Sequence, residues 1–156
     1  MFNEHNLTAF VRESNLIEGI LRDPTPFEIA ATDHFLKWKV LSTADVAALV
    51  NVYAPGHVIR DKPSLNVQVG GYVAPPGGPE IVDRLNQLLF MVSNHTISPW
   101  HAHITYEALH PFTDGNGRSG RAVWLWQMLA LNRDPFALSF LHSFYYQTLS
   151  NQRVVT

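Results

Sequence analysis

Cysteine is absent from the chain, which excludes disulfides, thiolate nucleophiles and cysteine-ligated zinc. Charge is sparse as well. Charged residues make up 15 %, with thirteen acidic side chains against eleven basic ones and a formal net charge of −2. That balance builds no dominant basic face, so no nucleic acid partner is implied. The longest apolar stretch, Val123 to Leu131, is interrupted by Gln127 and falls far short of the ~20 residues of a membrane helix, so no membrane partner is expected. The opening residues, Met1 to His5, show no basic segment ahead of an apolar one. With neither a secretion signal nor cysteine, a cytoplasmic location is expected, and the glycosylation sequons at Asn6 and Asn94 read as chance. No internal repeat, low-complexity segment or long linker interrupts the chain.

What is present suits one domain over residues 1–156, with a hydrophobic fraction of 46 % to fill a core. Leu7, Phe10, Val11, Leu16, Ile17 and Ile20 recur at helical spacing, and Asp23-Pro24 breaks the pattern. Thr25-Pro26-Phe27-Glu28 combines a cap, a proline at the first helical position and a glutamate that can close a capping box. A helix to about Val40 should follow, then one capped by Ser42 or Thr43 that ends near Tyr53. Residues 56–79 hold five of the nine glycines and four of the ten prolines. Within them, Asn66-Val67-Gln68-Val69, Gly70-Gly71 and Tyr72-Val73 read as a short β-hairpin or flap. Pro79 should open a helix to about Ser93, Pro99 one to about His110, and further helices are expected over about 117–131 and 138–149. The fold class is therefore mainly α with one small β element.

The chemistry concentrates in twelve residues, His110-Pro111-Phe112-Thr113-Asp114-Gly115-Asn116-Gly117-Arg118-Ser119-Gly120-Arg121. Glycines allow a tight turn and bring backbone N–H groups close to a ligand. The next helix aims its N-terminus back at the turn, a natural site for phosphate. Arg118 and Arg121, three apart, share one face of the first helical turns and can clamp phosphate oxygens. Asp114 supplies the oxygen ligand that Mg²⁺ prefers when it also holds substrate phosphates. His110 can take a proton from a hydroxyl near neutral pH. Together these describe phosphoryl or nucleotidyl transfer. Phe112 reads as an apolar anchor for the loop. Gly115-x-Gly117-x-x-Gly120 formally matches a dinucleotide fingerprint, but no strand precedes it and no acidic residue lies ~20 positions on. A Walker A loop would need a Gly-Lys-Ser/Thr ending, which is missing.

His110-Pro111-Phe112-x-Asp114-Gly115-Asn116-Gly117-Arg118-x-x-Arg121 resembles the signature of the Fic domain family at every motif position. His103-x-x-Tyr106-Glu107-x-Leu109 resembles the helix leading into it, and Val67-Gln68-Val69-Gly70-Gly71 the family's flap. The resemblance covers roughly residues 7 to 150. It implies a compact helical Fic-domain fold with a short β-hairpin flap at about 58–73 and a catalytic loop at 110–121. It also implies transfer of AMP from ATP, as substrate, to a Ser, Thr or Tyr hydroxyl of a target protein. By that resemblance His110 deprotonates the hydroxyl, and Asp114 holds Mg²⁺. Gly115, Asn116 and Gly117 form an anion hole, Arg118 binds phosphate and Arg121 reaches the γ-phosphate. Val67, Gln68 and Val69 register the target protein by strand addition.

Ser14-Asn15-Leu16-Ile17-Glu18-Gly19 resembles the inhibitory motif of the class whose inhibitory helix, here about 7–20, precedes the Fic core. The implication is that Glu18 pairs with Arg121 where the γ-phosphate would lie. Two alternatives remain open: removal of AMP from a modified target by way of Glu18, and a non-catalytic nucleotide-sensing module. A related nucleotide such as UMP, and assembly into a homo-oligomer, also stay open. Elsewhere, His101 and His103 face apart on a helix and should not share a metal. Trp124 and Trp126 belong to a helix apolar on nearly all sides and read as core. Tyr145 and Tyr146 read as packing residues.

Overall fold

A computed structural model describes residues 2–136 of the chain. Among them run six helices and one hairpin: α1 (Glu4–Ile17), α2 (Pro26–Leu36), α3 (Thr43–Tyr53), β1 (Gln68–Val69), β2 (Tyr72–Val73), α4 (Pro79–Ser93), α5 (Pro99–Leu109) and α6 (Asn116–Ala130). The mainly α fold with a small hairpin is what the periodicity predicts. The helix expected at 138–149, with Tyr145 and Tyr146, lies outside the described residues.

Local chemistry starts most helices as expected. Thr25 and Glu28 form a reciprocal capping box on α2, with Pro26 inside it, and Ser42 with Asp45 does the same for α3. Ser98 caps α5 ahead of Pro99, and Pro79 opens α4. α2 stops at Leu36 rather than near Val40. The Lys37 and Trp38 N–H groups turn back to the carbonyls of His34 and Phe35 in a tighter coil. The Trp38 carbonyl instead accepts from the Trp126 indole at 2.8 Å, a tertiary bond that outweighs helical propensity. α1 ends at Ile17, so Glu18 is its C-terminal cap and Gly19 (φ +75°) takes the left-handed turn beyond it.

α6 forms the axis of the fold. It packs against α1, α2, α3 and α5, and most of its residues are buried. One side meets α3 and α5, which α4 backs, in a core that includes Val50, Leu85, Leu89, Tyr106, Leu109 and Phe112. The other meets α1, where Leu7, Phe10 and Val11 pack on Trp124, Leu125 and Met128. Trp124 and Trp126 are both core, and so is Phe112, as the sequence predicts.

A buried polar contact locks α1 to α2. Asn15 donates to Glu28 Oε2 at 2.9 Å, and Arg22 donates to Oε1 of the same carboxylate. Burial alone would raise the Glu28 carboxyl, but the hydrogen bonds from Arg22 and Asn15 outweigh it and hold the group below its ordinary 4.5. Such a carboxylate stabilises the fold fully above that value and loses the contribution as pH falls through the lowered one. Glu28→Gln should therefore cost about 1 kcal/mol at pH 7, discounted because Arg22 is half exposed. Urea denaturation of both proteins should show the gap closing below pH 4.5; a gap that stays constant from pH 7 to pH 3 would contradict this account.

Candidate active site

α5 delivers His110 in an unusual backbone state. His110 caps the helix at φ 51° and ψ 61°, left-handed for a residue with a Cβ, immediately before Pro111. Its N–H donates to the Tyr106 carbonyl at 2.9 Å. Nδ1 lies 3.4 Å from the Glu107 carbonyl. A carbonyl can only accept, so a hydrogen bond there requires the ring proton on Nδ1, the tautomer that leaves the basic lone pair on Nε2.

The loop that follows is stapled at several points. Asn116, 2 % exposed, accepts from the Phe112 N–H and donates to the Phe112 carbonyl, both at 2.8 Å. Its side chain thus braces the loop through Oδ1 and one of its two Nδ2 hydrogens. Gly115 (φ +80°) caps α6 in the left-handed region. Ser119 donates to the Gly115 carbonyl and shares a 2.6 Å hydrogen bond with the buried Tyr106 hydroxyl. α6 opens at Asn116, so the backbone N–H groups of its first turn face the loop without helical acceptors.

The two arginines are differently engaged. Arg121, 1 % exposed, donates from Nε to Ser14 Oγ at 2.7 Å and from Nη2 to the Ser14 carbonyl at 2.9 Å and Glu18 Oε1 at 2.8 Å. Arg118 is 7 % exposed, its guanidinium 5.5 Å from the centre of the Tyr53 ring, and its Nε and Nη1 have no hydrogen-bond partner among the described residues. Burial lowers Arg118 from the ordinary guanidinium value, although Glu18 and Asp114 pull the other way. Burial likewise pushes the Tyr53 hydroxyl up to about 12, so it stays neutral beside that cation. A buried cation with open donors is poised to receive an anion. Glu18 reaches the same place: a Cβ at Gly117 would overlap Glu18 Oε1 and approach Arg121 Nη1 within 3.0 Å.

Asp114 accepts from the Gly115 N–H at 2.7 Å and keeps its side chain 64 % exposed. Its Oδ2 stands 3.9 Å from His57 Nε2, and His57 Nδ1 bonds Thr113 Oγ1 at 2.9 Å. No group of three or more His, Asp or Glu among the described residues could cage a metal, and His103 is buried while His101 is exposed. In the flap, Gln68 pairs with Val73 and Val69 with Tyr72 in an antiparallel ladder, and the Ala74 N–H donates to the Val67 carbonyl. Val69 and Val73 are exposed.

The structure thus unites Ser14, Glu18, Gly117, Arg118 and Arg121 at the head of α6, with Asp114 on the adjoining turn and His110 at the end of α5. Three contributors escape the sequence reading: His57, the loop-bracing side chain of Asn116, and Arg60. All three act across loops, where no periodic pattern marks them.

The Fic/DOC family model matches residues 35–128, more than half of the chain. The chain belongs to the Fic/DOC family. No curated protein matches it. The family match takes in the flap, His110 and both arginines of the loop, and begins after α1, so Ser14 and Glu18 lie outside it.

The Gly117 contact yields a double-mutant cycle. In the parent, Gly117→Ala should be neutral or destabilising because Glu18 must leave Arg121. In the Glu18→Gly background the severe overlap is gone and only the 3.0 Å approach to Arg121 Nη1 remains, so the same change should cost less than in the parent. A coupling of about 0.5–3 kcal/mol by urea denaturation is expected; additive effects would show that Glu18 does not sit against Gly117.

Proposed function

We propose that the chain is a protein adenylyltransferase that moves AMP from ATP to a hydroxyl of a target protein, restrained by its own α1. The carrying observation is the buried Arg118 guanidinium, whose Nε and Nη1 lack partners among the described residues beside the opening turn of α6. An array of open donors at a helix N-terminus suits a phosphate chain.

In this reading the target hydroxyl approaches His110, whose Nε2 takes its proton as the oxygen attacks the α-phosphorus. The new P–O bond joins AMP to the target, and the bond to the pyrophosphate leaving group breaks. Arg118 and the first N–H groups of α6 balance the developing negative charge. Asp114 fits a Mg²⁺ role because its carboxylate is exposed and belongs to no group of three or more metal-ligating side chains among the described residues; that ion takes few protein oxygens and the rest from phosphates and water. When bound, it would neutralise phosphate charge. The exposed edge of the hairpin, at Val67, Gln68 and Val69, offers backbone groups to an extended target segment.

The restraint rests on Glu18. Its carboxylate holds the Arg121 donors that a terminal phosphate would use. Charge-assisted bonds of this type contribute about 1.5–3 kcal/mol. Glu18 is about one-third exposed, which favours the low end and about a tenfold penalty on productive ATP binding. Glu18→Gly should accordingly raise self-modification from radiolabelled ATP about tenfold or more, and His110→Ala should abolish it. Equal, robust labelling of the wild type and the Glu18 variant would sink the restraint, and ATP binding without any transfer after Glu18→Gly would sink the transferase.

A further inference from the structure

Arg60 is fully buried, and among the described residues no carboxylate forms an ion pair with it. A buried guanidinium without a counter-charge is costly unless its donors are met. Here four of its five N–H groups are met by carbonyls. Nε donates to His110 O at 2.6 Å and Nη2 to Leu109 O at 2.8 Å. Nη1 donates to Leu65 O at 3.1 Å and Pro75 O at 2.7 Å. The first pair ends α5 at the histidine. The second pair brackets the hairpin, one acceptor before β1 and one after β2.

The backbone repeats the connection. The Arg60 N–H donates to Pro111 O and the Thr113 N–H to Val58 O, both at 2.9 Å, around the Ile59–Phe112 bridge. The Gly78 N–H closes the far side by donating to the Arg60 carbonyl. Both ends of the flap and both sides of His110 therefore converge on one residue.

We propose that Arg60 is the positioning residue that fixes the flap, and with it the target backbone, at a set distance from His110. This rests on the adenylyltransferase reading for its activity readout. Only arginine suits the place. Its planar fork of five N–H donors reaches carbonyls in several directions at once, whereas lysine offers three donors from a single point. The left-handed backbone at His110 is disfavoured for a residue with a Cβ, and the bond from Arg60 to its carbonyl helps to hold it. Arg60 touches neither ATP nor the reacting hydroxyl; it acts through His110 and through the hairpin.

The test compares Arg60→Lys with its parent, both in the Glu18→Gly background. The turnover of self-modification should fall about a hundredfold, the scale of a misplacement near 1 Å. The Kd for a non-hydrolysable ATP analogue should stay within about twofold, so the loss separates from nucleotide binding. Amide hydrogen exchange should quicken together at Ala74 and Gly77 in the flap and at Thr113 in the loop. Turnover within about threefold of the parent, or analogue binding lost in step with transfer, would overturn the assignment. If Arg60→Lys has no cooperative melt, Arg60→Gly with added methylguanidine replaces it. Folding and transfer restored together support the role; folding restored alone, or no rescue, refutes it. A Glu18→Gly parent that binds the analogue but transfers nothing refutes the transferase instead. The exchange comparison then decides for Arg60, since loosening of the flap without the loop would refute the coupling.

Discussion

Arg121 enters the interior on the second turn of α6, where its guanidinium is 1 % exposed and surrounded by apolar helices. A charge in such a place is tolerated only if acceptors come to it. α1 brings them: Ser14 presents both its hydroxyl and its carbonyl, and Glu18 presents its carboxylate. The ending of α1 follows from this demand. The helix stops at Ile17, Glu18 turns inward as the cap, and Gly19 carries the chain away. Asn15, on the same turn, is held by Glu28, so the position of Glu18 depends on α2 as well. The apolar face of α1 supplies adhesion, and the polar contacts at its end fix its register on α6.

Much of this was legible in the chain where causes are local. Thr25 with Glu28, Pro79 and Pro99 mark helix starts through interactions within three residues, and the structure honours each. Gly70-Gly71 between short alternating runs gives the hairpin, with Gly70 at φ +57°. The twelve-residue loop reads as a phosphate site because its residue types are dense and their order specific. Where causes are distant, the sequence is silent. The end of α2 is set by an indole 88 positions away, and Glu18 meets Arg121 across 103 positions. The first was mispredicted by four residues. The second was reachable only through resemblance to a family motif, since a serine and a glutamate at helical spacing carry no signal alone.

Arg60 is the sharpest instance of that limit. A lone arginine in a segment rich in glycine and proline looks like a solvated loop residue. Its burial depends on four carbonyls contributed by three separate stretches of chain. Asn116 shows the converse. The motif offers it as an anion contact, whereas in the structure its side chain braces the loop on Phe112. A family motif can identify which residue matters without stating which of its atoms do the work.

The two loop arginines also bear on how the proposed restraint would be both effective and reversible. Two cations packed three residues apart at a helix N-terminus repel each other and add to a positive dipole end, so an anion nearby stabilises the site. In the proposed reading Glu18 is that anion, and it serves only half of the cradle: it bonds Arg121 and leaves Arg118 with open donors. A nucleotide can therefore begin to bind at Arg118 without first displacing the carboxylate. Glu18 keeps about a third of its side chain exposed, so its departure needs little desolvation to be reversed. A fully buried pair would make a tighter lock but would leave an uncompensated charge on opening. On the proposed function, partial occupation by a partly solvated carboxylate would hold the site shut while keeping it responsive to whatever loosens α1.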